Sequence, residues 1–257
     1  MSLIQMRLFS QALNMFTPVN VILPQPRDAH RELQPLPTLY LLHGMGDDAT
    51  AWMRKSCVER YALEHGVAVV MPDGGLSCYE NMAHGGAYRD YICDELPLTM
   101  RKTFPLSAQR EQNFIAGCSM GGFGALKLGL ARPELWSKIG CFSAAHFEYR
   151  PDSPRNQAML RRVYGDRLDE YEARIAADAQ SVNAGSLPLS IWHCCGTEDA
   201  LRDNALQSRV FFEGMGAGAI AYRFEMLPGR HDWALWDAAA RRFLETLELN
   251  SPEVQLF

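Results

Sequence analysis

Short apolar runs alternate with longer segments of mixed polarity along most of the chain. The apolar runs are four to eight residues long, a length typical of buried strands. In order along the chain, they predict strands at 39–43, 67–71, 114–117, 139–142, 187–194 and 219–226.

The segments between these runs have the spacing of amphipathic helices. In the first of them, Trp52, Val58 and Leu63 supply the apolar contacts, and the second remains a predicted helix despite Pro97 near its middle. Such alternation of strand and helix predicts a mostly parallel central sheet with helices on both faces. The predicted helices are 52–65, 88–104, 121–130, 203–215 and 233–247.

Two segments interrupt the alternation. Residues 24–37, rich in proline and polar residues, separate two early strand-like runs from the strand at 39–43. In 146–184, Pro151 and Pro154 precede charged helical sequence at 160–177. We interpret 146–184 as a small helical cap inserted over the carboxyl edge of the sheet, where ligands bind in open α/β sheets. The whole chain, 1–257, is then expected to form a single domain.

Composition and charge narrow the classes of function. The chain is 47% hydrophobic and 21% charged with a net charge of −5, and no run of Lys and Arg exceeds two residues. We therefore expect neither nucleic-acid nor membrane partners. No apolar run is long enough to cross a bilayer, and the first residues lack a signal-peptide pattern. Seven scattered cysteines indicate free thiols, so we expect a cytoplasmic protein.

The strand at 114–117 leads directly into the helix at 121–130 through a serine flanked by glycines. Gly117 and Gly121 lie two residues before and after Ser119, where a sharp strand-to-helix turn leaves no room for a Cβ atom. This G-x-S-x-G pattern predicts a nucleophile elbow that exposes the Ser119 hydroxyl. The alternative is a tight turn in which the serine only caps the helix.

A serine nucleophile needs a base, and three histidines follow it in the chain. His193 lies within an apolar run and is expected to be packed in the core, whereas His146 ends another strand and fits the lining of a pocket. His231 follows Pro228 and Gly229 in a loop just before a helix, which is an open position at the sheet edge. We therefore predict His231 as the base.

The acid that orients the base is expected after the preceding strand. Asp199 follows the glycine turn after 187–194 and is our prediction, with Glu198 held in reserve. Asp203 is a weaker rival. Asp232 is adjacent to His231 in the chain and is expected to point away from it.

Two backbone N–H groups are expected to stabilise an oxyanion. Met120 opens the helix after the serine, and Met45 lies in the loop after the strand at 39–43, where Gly44 and Gly46 allow close approach of the substrate. A glycine turn with no catalytic role explains the second segment equally well. The histidines show no metal-binding spacing, so we expect no metal or other cofactor.

Five motifs in this order resemble the esterase D family of α/β-hydrolases, and within it the bacterial tributyrin-esterase-like acyl esterases. They are LLHGMGDD, VMPDGG, AGCSMGGFGALKLGL, CGTEDAL and GRHDWALWD, and the resemblance spans about 7–247. It implies the α/β-hydrolase fold, with Ser119, Asp199 and His231 as the triad. Met45 and Met120 match the oxyanion donors of the family.

The resemblance also informs the substrate. S-formylglutathione hydrolases of this family usually carry histidine where this chain has Cys118, which lowers the expectation of that activity. From their neighbours in the chain, we expect Gly44, Tyr79, His146 and Trp233 to line the substrate pocket.

These observations favour a serine carboxylester hydrolase that acts on short-chain acyl esters through an acyl-enzyme. S-formylglutathione hydrolysis, feruloyl or acetyl-xylan esterase activity, and acyl transfer remain alternatives, as does a non-catalytic binding protein of the same fold. The expected partner is a small-molecule ester, and assembly into a homo-oligomer is left open.

Overall fold

A computed structural model of the chain describes residues 1–25, 34–147 and 154–249. Over these ranges the strands form one eight-stranded sheet in the order β1-β2-β4-β3-β5-β6-β7-β8. The first two pairings in this order are antiparallel and all the others are parallel. The strands are β1 (Ser2–Ser10), β2 (Met15–Leu23), β3 (Thr38–Leu42), β4 (Ala68–Pro72), β5 (Asn113–Cys118), β6 (Lys138–Phe142), β7 (Leu189–Gly196) and β8 (Ile220–Leu227).

Helices cover both faces of the sheet, which confirms the predicted α/β-hydrolase architecture. One apolar layer packs α1, α2 and α9 against the sheet, and the other packs α4, α5, α7 and α8 against the opposite face. The described helices are α1 (Ala51–Lys55), α2 (Val58–His65), α3 (Tyr88–Asp90), α4 (Leu96–Thr103), α5 (Met120–Ala131), α6 (Pro154–Tyr164), α7 (Leu168–Ala184), α8 (Arg202–Gly214) and α9 (Trp233–Glu245).

The helix predicted at 52–65 is divided in two. Ser56 is extended and separates α1 from α2. The interruption frees the Cys57 N–H, which donates to the Asp237 carboxylate on α9 at 2.7 Å. A tertiary contact with a residue far along the chain therefore outweighs the local helical pattern.

The helix predicted at 88–104 is continuous but contains one π turn. Residues Tyr91–Glu95 form this turn between α3 and α4, and Pro97 follows it in the first turn of α4. Proline has no N–H to donate and its ring crowds the preceding turn of a helix. The wider π turn just before Pro97 accommodates both effects, so the helix continues.

The predicted insertion contributes α6 and α7 between β6 and β7, separated at Gly165. Ile175 and Ala179 of α7 are buried, and α7 packs against α5. Residues 148–153 of the predicted cap lie outside the described residues, and the division into a single domain with a cap stays a prediction. Within the three described ranges, no helix combines the length and apolar character needed to cross a bilayer.

Candidate active site

The turn between β5 and α5 holds Ser119 in a strained backbone conformation. Its φ is 53° and its ψ −120°, a combination that residues with a side chain rarely adopt. A Cβ atom on Gly117 would lie 2.6 Å from the carbonyl of Gly121, and one on Gly121 would lie 2.4 Å from the Leu42 oxygen. Both glycines are therefore required by contact with backbone, as the elbow pattern predicts.

The side chains of Ser119, His231 and Asp199 meet at the carboxyl edge of the sheet. Ser119 Oγ lies 2.9 Å from His231 Nε2, and His231 Nδ1 lies 2.9 Å from Asp199 Oδ1. An imidazole that donates from Nδ1 to a carboxylate has its Nε2 lone pair free to accept the serine proton. The arrangement can thus raise the nucleophilicity of the serine hydroxyl.

Asp199 is a fully buried carboxylate that stays ionised. Burial on its own would raise its pKa, but hydrogen bonds from His231 and the Leu201 N–H, together with the influence of Ser143, outweigh it and hold the pKa below its usual value. The Leu201 N–H donates to Oδ1 at 2.8 Å. At neutral pH a negative charge therefore faces the imidazole.

The other carboxylates weighed as the acid that orients His231 have other partners. Glu198 pairs with Arg230 at 3.1 Å, and Asp203 is exposed beside Arg202. Asp232 caps α9 by accepting the Leu235 N–H at 3.2 Å.

The two other downstream histidines are held away from the serine. His193 is fully buried, with Nδ1 against the Tyr222 hydroxyl and Nε2 against the Ala144 carbonyl oxygen. His146 stacks on Phe211 at 4.3 Å between ring centroids. Burial lowers the pKa of each to about 4, so both are neutral at physiological pH.

The loop after β3 lies against the elbow. Gly44 and Met45 line the same cavity as Ser119 and Met120. His43 fixes this loop, because it accepts the Gly74 N–H at Nε2 and is left to donate from Nδ1 to the Gly44 carbonyl oxygen at 2.8 Å. The sequence placed His43 in this loop without giving it a role.

A cavity of about 320 Å³ opens above Ser119. Of the four predicted pocket residues, Gly44 lines it. Tyr79 is buried below, where its hydroxyl donates to the His43 carbonyl oxygen at 2.8 Å, and Trp233 packs edge-on against Trp52. The described lining residues are Gly44, Met45, Asp47, Ser119, Met120, Phe123, Ala144, Ala145, Phe147, Asn156, Ala200, Leu201, Asn204, His231 and Trp236.

His146 also lies outside this cavity, in an adjoining surface depression. The indole that does line the cavity belongs to Trp236, three residues after Trp233 on the same helix. Trp236 also packs perpendicular to the His231 ring at 5.0 Å between centroids. The i, i+3 spacing marked both indoles as neighbours on one helix face, but only the tertiary packing decides which of them reaches the cavity.

Cys118, which precedes the nucleophile, is fully buried, and burial raises the pKa of its thiol. All seven cysteines are free thiols, and only Cys57 is exposed. Over the part of the chain that the structure describes, no group of three or more His, Cys, Asp or Glu side chains is placed to hold a metal ion.

The known proteins that are similar to this chain include esterases and other serine hydrolases. Residues 10–244 match the esterase family described as "Putative esterase". An acetyl esterase from Caldicellulosiruptor saccharolyticus is 29% identical over 92% of this chain and 94% of its own length. Two Staphylococcus aureus structures each share 31% identity over 96% of this chain and 98% of theirs. They are the fluorophosphonate-binding serine hydrolase FphF, with a TM-score of 0.81, and the S-formylglutathione hydrolase FrmB, with 0.79.

Proposed function

Because this chain belongs to that esterase family and is a serine carboxylesterase, we propose that it hydrolyses short-chain acyl esters with Ser119, His231 and Asp199 as its catalytic triad. The single observation that carries this proposal is the continuous hydrogen-bonded path from the serine hydroxyl through the imidazole to a buried carboxylate.

In the first half of the reaction, Ser119 Oγ attacks the ester carbonyl carbon while His231 Nε2 takes the hydroxyl proton. The carbonyl oxygen becomes an oxyanion, which the Met45 and Met120 N–H groups stabilise. When the tetrahedral intermediate collapses, the bond to the alkoxy oxygen breaks, and His231 returns the proton to the leaving alcohol. An acyl-enzyme on Ser119 remains.

In the second half, a water molecule attacks the acyl-enzyme. His231 takes a proton from the water, the same N–H groups stabilise the new oxyanion, and the proton passes to Ser119 Oγ as the carboxylic acid leaves. Asp199 stays ionised throughout and stabilises the imidazolium that forms in each half.

The cavity supports a small acyl substrate. Its walls are mostly apolar, from Phe123, Leu201, Trp236 and the two methionines, and its volume of about 320 Å³ lies at the small end of ligand pockets. The similarity to an acetyl esterase supports the same class. The similarity to an S-formylglutathione hydrolase makes a short-chain thioester the second candidate substrate.

Replacing the nucleophile tests the proposal. We expect Ser119→Ala to lower kcat on 4-nitrophenyl acetate by about 10⁶-fold and to abolish covalent labelling by a fluorophosphonate probe. Ser10→Ala is the matched control, because Ser10 is a fully buried serine on β1 that donates to the Glu95 carboxylate.

The control is expected to keep its activity and labelling. Full esterase activity in Ser119→Ala would overturn the proposal, as would a wild-type chain that binds esters without turnover. A panel of acetyl, butyryl and octanoyl esters, methyl ferulate and S-formylglutathione then ranks the substrates, and we expect the acetyl and butyryl esters to have the highest kcat/KM.

A further inference from the structure

Ser143 is a strained and fully buried residue that the reaction described above does not use. It directly follows β6 and has a φ of 52°, in the left-handed region that favours glycine. Its N–H donates to the Cys194 carbonyl oxygen at 2.8 Å, which continues the pairing with β7. Non-glycine residues in this conformation cluster at functional sites, where the surrounding structure holds them in place.

The Ser143 side chain is oriented by Trp236. The indole N–H donates to Ser143 Oγ at 3.1 Å, and both groups are buried. Because the hydroxyl oxygen is already an acceptor, its own proton is available for a second partner. The same indole packs perpendicular to the His231 ring and lines the substrate cavity.

Asp199 has one carboxylate oxygen, Oδ2, that needs a donor. Oδ1 accepts from His231 and from the Leu201 N–H, while Oδ2 is buried and accepts no well-directed hydrogen bond from the described residues. Geometry places Ser143 in the same group of side chains, because its Oγ accepts from the indole that packs on the His231 ring, and His231 Nδ1 lies 2.9 Å from Asp199 Oδ1. In line with this placement, Ser143 is one of the groups that hold the Asp199 pKa below its usual value against the effect of burial. The Cys195 thiol also faces Asp199, but a thiol is a weak donor.

We propose that Ser143 is a positioning residue for the triad: oriented by the Trp236 indole, its hydroxyl serves Asp199 Oδ2 and fixes the plane of the carboxylate toward His231. A carboxylate held only through Oδ1 is free to turn about its Cβ–Cγ bond. A carboxylate that accepts hydrogen bonds at both oxygens cannot turn in this way, and it keeps the imidazole in line with Ser119. This inference rests on the proposed function, because it assigns a role relative to the triad.

The test removes the hydroxyl in two ways. Ser143→Ala keeps the Cβ atom, and Ser143→Gly relieves the backbone strain at φ 52°, so a folded variant is available even if alanine destabilises the turn. Since a hydrogen bond to a charged group is lost, we expect kcat on 4-nitrophenyl acetate to fall by about 10- to 100-fold in both variants. KM is expected to stay within about twofold, because the lost interaction does not contact substrate.

Two further variants separate positioning from general stability. Ser10→Ala removes an equally buried serine–carboxylate hydrogen bond on β1 and is expected to leave kcat unchanged. Trp236→Phe keeps one aromatic ring but removes the indole N–H together with part of the ring volume. If both residues act through one path, we expect the kcat of the double variant Ser143→Ala, Trp236→Phe to lie within about threefold of the kcat of Ser143→Ala alone.

The downfield proton resonance of the hydrogen bond between His231 and Asp199 gives a readout that stability does not move. We expect it to broaden or shift in Ser143→Gly and to persist in Ser10→Ala. If Ser119→Ala is inactive while both Ser143 variants keep wild-type kcat and an unchanged resonance, the positioning role is overturned and the proposed function stands. If Ser119→Ala is active, the proposed function itself fails, and the positioning role fails with it.

Discussion

At the scale of single residues, Asp199 carries the least replaceable charge in the site. Its side chain has no exposed surface, yet its pKa lies below the usual value, because hydrogen bonds from His231 and the Leu201 N–H, together with the influence of Ser143, overcome the effect of burial. A buried carboxylate that remains charged fixes the tautomer of the base and stabilises it once it is protonated. An uncharged group of the same shape cannot do either.

Asp199→Asn is therefore expected to lower kcat by about 10⁴-fold with little change in the fold, as measured by ester turnover and circular dichroism. Glu198→Gln is the matched control. Glu198 is the adjacent carboxylate, it is exposed and its partner is Arg230. If the two variants lost activity equally, Asp199 would not be the acid.

At the scale of elements, the β5–α5 turn depends on two glycines that contact backbone. Gly121→Ala places a Cβ atom 2.4 Å from the Leu42 oxygen on β3, and backbone cannot move aside as a flexible side chain does. We expect a loss of about 3 kcal/mol or more in the free energy of unfolding, measured with denaturant.

Gly214→Ala is the matched control, because Gly214 ends α8 and a Cβ atom there meets nothing within 4 Å. We expect that variant to be as stable as the parent chain or more stable by up to about 1 kcal/mol. Equal destabilisation by both substitutions would contradict the steric argument.

Local patterns in the sequence predict some of these elements and miss others. The alternation of strands and helices and the elbow glycines are local patterns, so they predicted the sheet and the position of Ser119. The division between α1 and α2 depends on Asp237, and the choice of Trp236 over Trp233 depends on how α9 packs. Tyr79 has a positive φ of 55° and donates from its hydroxyl to the His43 carbonyl oxygen below the loop after β3, a contact that no hydrophobic pattern encodes. Contacts between distant segments decide each of these features.

At the scale of the whole molecule, one buried ion group joins three separate parts of the chain. Glu80 lies in the loop after β4 and contacts Lys127 of α5 at 3.2 Å and Arg174 of α7 at 3.1 Å. Glu80 and Lys127 are almost completely buried, and the Lys127 ammonium also lies over the Phe123 and Tyr164 rings. The helix that follows Ser119 is therefore tied to the segment between β6 and β7.

Lys127→Met is expected to lower the free energy of unfolding by about 3 kcal/mol, because it leaves the buried Glu80 carboxylate with the Asn81 N–H and the half-exposed Arg174 as its described partners. Arg241→Met removes an exposed ion pair with Glu245 and is expected to cost less than about 1 kcal/mol. Denaturant unfolding of both variants measures the difference, and a surface-like cost for Lys127→Met would contradict it.

The ion group of Glu80, Lys127 and Arg174 also makes the stability of the fold depend on pH. Burial would raise the Glu80 pKa, but Lys127 and Arg174 hold it below its usual value. In the folded chain Glu80 therefore keeps its charge where the unfolded chain binds a proton, so its contribution is complete above about pH 4.5 and is lost as pH falls through the folded-state pKa. We expect Glu80→Gln to flatten the acid side of the curve of unfolding free energy against pH, as measured by denaturant unfolding at a series of pH values.

Asn156 reaches the cavity from α6, while Ser119, Asp199 and His231 follow the ends of strands, so this part of the cavity wall and the proposed triad lie on different stretches of polypeptide. A substitution at Asn156 is therefore expected to change which acyl group fits while leaving the hydrogen bonds among Ser119, His231 and Asp199 in place. A library at this position, ranked on acetyl, butyryl and octanoyl esters, offers a direct route to altered substrate preference.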